Sequence, residues 1–89
     1  MEQYLLDKQH LSDIAYYVGL HTGSLDLATK AAGELVRRLG VPPKHVEDFI
    51  VIAAFSSLYP YDDEFKRELE ERVKKMSCYS IVSKVLEEL

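Results

Sequence analysis

Three glutamates, Glu64, Glu68 and Glu71, recur at the spacing that puts side chains on one face of a helix. Carboxylates so arrayed could hold Mg²⁺, a cation that takes oxygen ligands. That chemistry needs a second carboxylate pair on a facing helix. The remaining pairs are Glu47-Asp48, placed for a helix's first turn, and Glu87-Glu88, at the end of the sequence. Lysines and arginines interleave with the first set and neutralise it, so a solvated helix face is the preferred reading. His10, His21 and His45 lack the i,i+3 or i,i+4 spacing of paired metal ligands. Cys78 is the one cysteine and has no basic neighbour to activate it; it reads as a small, buried apolar residue. The expectation is a non-catalytic protein without metal, cofactor or small-molecule substrate.

A second constellation runs from Leu11 to Ala28, LSDIAYYVGLHTGSLDLA. Ile14-Ala15 suits a helix that another approaches closely. Val18-Gly19-Leu20 suits a tight corner, and Leu25 and Ala28 suit the inward side of a following helix. The stretch resembles the helix-turn-helix of many transcription regulators. That resemblance implies DNA binding, as a dimer, with His21, Thr22, Ser24, Asp26, Thr29 and Lys30 facing the major groove. Arg37 adds positive charge on the same helix. Glu68-x-x-Glu71 resembles the Glu-x-x-Glu helices of some all-α nucleotide hydrolases, which makes a carboxylate-dependent hydrolase the third reading.

Composition narrows these choices. Eighty-nine residues make one domain, 1–89. The net charge of -4 argues against a general nucleic-acid coat. Residues 21–45 nevertheless carry Lys30, Arg37, Arg38 and Lys44 against Asp26 and Glu34, a local +2. A single cysteine allows no disulfide within the chain, as in a reducing compartment such as the cytoplasm. No signal peptide is visible, and no apolar run of about 18 residues suggests a membrane span.

The elements that position these residues are helical. Residues 2–9 suit a short helix, interrupted at His10-Leu11-Ser12. Ser12 is a fair N-cap for a helix ending at Gly19. Ser24 caps the next, whose apolar face is Leu25, Ala28, Ala32, Leu35, Val36 and Leu39, and Gly40 ends it. Gly33, in mid-helix, suggests a close helix crossing. Pro43 opens a third helix, and Pro60 stops it. Residues 61–76 read as a surface helix rich in i,i+4 acid-to-base pairs. Residues 77–89 either continue that helix or form a last one capped by Ser77.

The resulting expectation is an all-α, compact bundle of four to five helices, with a central helix over about 43–59 largely buried. Residues 46–59, VEDFIVIAAFSSLY, are apolar nearly all round. Such a helix must be covered all round, by its own chain or by a second subunit. The excess of apolar surface points to protein–protein assembly, as a homodimer or within a larger complex. The expected interface residues are Phe49, Ile52, Phe55, Tyr59, Tyr61, Phe65 and Leu69. Of the six tyrosines (Tyr4, Tyr16, Tyr17, Tyr59, Tyr61 and Tyr79), Tyr59 and Tyr61 flank Pro60 and suit an exposed cluster.

Overall fold

Five helices follow one another in the computed structural model, which describes residues 7–89: α1 (Lys8–Thr22), α2 (Leu25–Leu39), α3 (Pro43–Ser56), α4 (Asp63–Lys74) and α5 (Tyr79–Glu87). The all-α bundle expected from the sequence is the observed architecture. Most of the segment 2–9, including Tyr4, lies outside the described residues.

The helix boundaries follow local chemistry, with one rearrangement at the start. Asp7 caps α1, its carboxylate accepting the His10 N–H at 2.8 Å. The helix then runs unbroken through Ser12, where the sequence suggested a cap. It also runs through Gly19, where the sequence suggested a stop. The chain turns instead at Gly23, whose φ of 60° places it in the left-handed region and whose N–H bonds back to the Gly19 carbonyl. Ser24 caps α2, and Gly40 ends it in the same left-handed conformation. Pro43 stands at the start of α3, and Asp62 caps α4 by accepting the Phe65 N–H at 2.7 Å. A break over residues 75–78 separates α4 from α5, so 61–89 holds two helices. The residue before α5 is Cys78 rather than Ser77, and its side chain makes no capping bond.

The hub of the bundle is α1. It packs against all four other helices, and Leu11, Asp13, Ile14, Ala15, Tyr17, Val18 and Gly19 are all buried. This shifts the centre from α3, where the sequence placed it. Helices α1 and α3 run in parallel. Their first turns line one groove through Lys8, Leu11, His45 and Phe49, and near their last turns Gly19 meets Ser56. Short links make α2 antiparallel to both. On its inner side are Ala28, Ala31, Ala32, Leu35 and Leu39, whereas Leu25 is exposed.

The close crossing lies at Gly19, and Gly33 has open space where a Cβ would stand. A Cβ on Gly19 would collide with Ser56 and stand 2.5 Å from the Ala53 carbonyl oxygen and 2.8 Å from the Ser57 nitrogen. Ala15, one turn earlier, is also fully buried. Small residues on both helices therefore let the two backbones approach.

Asp13 is the one buried charged residue among the described residues. Arg72 of α4 reaches it with Nε 3.1 Å from Oδ2 and a second guanidinium nitrogen 3.3 Å from Oδ1, and Gln9 adds a bond to Oδ1. A carboxylate out of water is costly unless paired, so this contact ties α4 to the middle of α1.

Candidate interaction surface

The rotation of α3 decides which of its apolar residues reach solvent. Phe49, Ala53 and Ser56, at helical spacing, face inward and are buried. Residues on the far side must then face out. Val51 is 42% exposed and Phe55 71%; in the turn that follows, Leu58 is 66% exposed and Tyr59 64%. So α3 buries small residues near its C-terminal end and exposes large ones.

No charged residue interrupts 49–61, so this patch is uncharged along the chain. Four such side chains expose on the order of 500 Å², near the upper end for the largest apolar patch of an ordinary monomer. Leu25 and Leu27, also exposed, open α2 at the same end of the bundle.

The expected interface residues divide. Phe55 and Tyr59 are exposed, as an interface requires, and Ile52 is half-buried. Phe49 and Leu69 belong instead to the core. The reason is register: Phe49 shares the inward face of α3 with Ala53, and Leu69 faces inward on α4 together with Val73.

Tyr61 and Phe65 are half-buried and occupied within the chain. Tyr61 stacks on Phe65 with ring centroids 4.8 Å apart and tilts onto Tyr59 at the same distance. Tyr16 of α1 meets both Tyr61 and Phe65 edge-on, at 5.9 and 6.0 Å. These contacts fasten the α3–α4 link to α1 and leave Tyr59 at the outer end of the aromatic row. Val51 and Leu58 belong to this exposed face and are absent from the expected interface set. The signal that finds them is the size contrast with Ala53, Ser56 and Ser57.

The residues of the helix-turn-helix reading lie around the Gly23 turn and along α2. Thr22 donates its hydroxyl to the Gly19 carbonyl, and Ser24 is occupied as a cap. Thr29 donates back to the carbonyls of Leu25 and Asp26, both at 3.0 Å. His21 stacks on Tyr17, with centroids 4.7 Å apart. Arg37 and Arg38 both bind Glu34, at 2.8 and 2.9 Å, and Arg38 also reaches Glu88 of the chain's last turn. Hydrogen bonds from Arg38 and Arg37 hold the Glu34 carboxyl below its usual range. Lys30 is exposed and has no ion-pair partner among the described residues.

Two further groups are buried. Burial first, and then the neighbouring Tyr79 hydroxyl, push the Tyr17 phenol well above its usual range. Burial likewise raises the Cys78 thiol, which agrees with a packing role. Among the described residues, no three His, Cys, Asp or Glu side chains are grouped to hold a metal ion. Nor is any helix there long and apolar enough to cross a membrane.

Comparison with protein-family models, curated proteins and solved structures gave no match in any of the three.

Proposed function

We propose that this chain is a non-catalytic assembly module and that the outward face of α3, Val51, Phe55, Leu58 and Tyr59, is its binding surface. The observation that carries this reading is the exposure of Phe55 and its neighbours beside a well-filled core. An apolar patch at the upper end of what a monomer exposes often marks a binding surface. Aromatic residues ringed by other apolar groups are also what protein interfaces use as anchors.

The helix-turn-helix reading draws less support. Its corner glycine, Gly19, sits inside α1 against α3, and most of its polar residues are bonded locally.

Gel filtration of extract from cells that make the protein tests the assembly reading. The chain is expected in a discrete species larger than itself, and Phe55→Glu is expected to shift it to the position of the free chain with its helicity unchanged. Elution of both forms as the free 10.2 kDa chain would overturn the reading.

A further inference from the structure

The first turns of α1 and α3 enclose a groove of about 120 Å³. Its floor is apolar. Leu11 and Phe49, both buried in the core, form it together with the half-buried Ile52. Core packing holds these side chains from beneath, so the floor keeps a fixed shape. An apolar cavity of about 150 Å³ takes a benzene ring, so this slightly smaller one suits a branched aliphatic side chain.

The rim carries charge of both signs. Lys8 contributes from α1, and His45 and Asp48 contribute from α3. Among the described residues, none of these three enters an ion pair. Arg72 and Arg38, which line other grooves, are already held by carboxylates: Arg72 by Asp13, and Arg38 by Glu34 and Glu88. Lys8 and Asp48 thus border one groove from two helices without neutralising each other.

That arrangement selects a head group. A purely anionic ligand would meet the Asp48 carboxylate, and a purely cationic one would meet the Lys8 ammonium. A head group with both charges satisfies the two walls. Its carboxylate takes hydrogen bonds from Lys8 and from a His45 ring N–H, and its ammonium donates to Asp48.

We propose that this groove binds a free zwitterionic amino acid with a branched aliphatic side chain of about the size of leucine. The side chain lies on Leu11, Phe49 and Ile52, and the head group bridges Lys8 and Asp48. Val51, at the edge of the groove, also belongs to the assembly surface. Phe55, Leu58 and Tyr59 stand toward the other end of α3, so the ligand site does not depend on the assembly reading.

Titration of the isotope-labelled chain with L-leucine, followed by NMR, tests it. Signals of Leu11, His45, Phe49 and Ile52 are expected to shift saturably, with a dissociation constant on the order of 1 mM or tighter. Glycine lacks the side chain, isocaproate lacks the ammonium and isoamylamine lacks the carboxylate; each is expected to bind roughly tenfold more weakly. Lys8→Gln and Asp48→Asn change exposed residues and are tolerated by the fold. Each is expected to weaken leucine roughly fivefold or more, while Asp48→Asn leaves isocaproate no weaker. No saturable shift with leucine, or shifts centred away from the groove, would overturn the proposal. So would glycine binding as tightly as leucine, or a leucine affinity that neither variant changes.

Discussion

Gly19 of α1 lies against Ser56 of α3 so closely that no Cβ fits on the glycine. This contact sets the rotation of α3. With Ser56 and Ala53 turned in toward Gly19, Phe55 is turned out, and the exposed face follows from the crossing beneath it.

The two mid-helix glycines are expected to respond in opposite directions. Gly19→Ala places a methyl group against backbone and is expected to cost about 3 kcal/mol by overpacking. Gly33→Ala meets open space in a helical position and is expected to stabilise by about 1 kcal/mol, since Ala loses less backbone freedom on folding. Urea denaturation of the two variants checks both signs.

The Asp13–Arg72 pair gives a second expectation. Arg72→Met leaves the buried Asp13 carboxylate without its guanidinium and is expected to cost about 2 kcal/mol; the figure is discounted because Arg72 is itself half exposed. Asp13→Asn in the same chain removes the uncompensated charge and is expected to recover part of that loss. A double-mutant cycle measured by thermal or urea unfolding supplies the coupling.

Tyr17 gives an alkaline expectation. Its folded-state pKa is raised above the unfolded value of about 10, so the folded chain holds this proton more tightly. The corresponding stability is fully present below pH about 10 and is lost as pH rises through that value toward the folded pKa. Absorbance of tyrosinate is expected to lag behind that of exposed tyrosines and to rise with unfolding. Tyr17→Phe is expected to flatten this alkaline loss; an unchanged profile would contradict the assignment.

Much of the fold was legible in residues that act locally. Gly40 with Pro42-Pro43 marks the end of α2 and the start of α3, because the left-handed cap and the missing N–H are properties of the residue itself, whereas α3 ends at Ser56, short of the stop expected at Pro60. Gly19 was misread for the complementary reason. As a local signal it is a stop; only the small residues of α3, more than thirty positions away, make it a contact. Ser12 suggests a cap because its hydroxyl can take up a free backbone N–H, yet α1 already runs through it, and the neighbouring Asp13 is turned inward to an arginine 59 positions later. The orientation of α3 was hidden because a segment apolar all round has no polar side to mark its outside. For the same reason the expected interface includes Phe49 and omits Val51 and Leu58.

The outer face of α3 makes a separate stability expectation. Phe55→Ser or Leu58→Ser removes apolar groups that already stand in solvent, so the isolated chain's stability is expected to change by less than about 0.5 kcal/mol. Phe49→Ala, on the inner face, is expected to cost about 4 kcal/mol. Equal costs at the two positions would show that α3 is turned differently.

Site-directed photo-cross-linking tests the central claim most directly. A photoreactive phenylalanine in place of Phe55, activated in the cells that make the protein, is expected to give a discrete protein adduct, with a mass of two chains if the partner is a second copy. The same group in place of Ser80, exposed on α5, is expected to give none. No protein adduct at position 55, or equal adducts at both positions, would contradict the assignment of the α3 face as the binding surface.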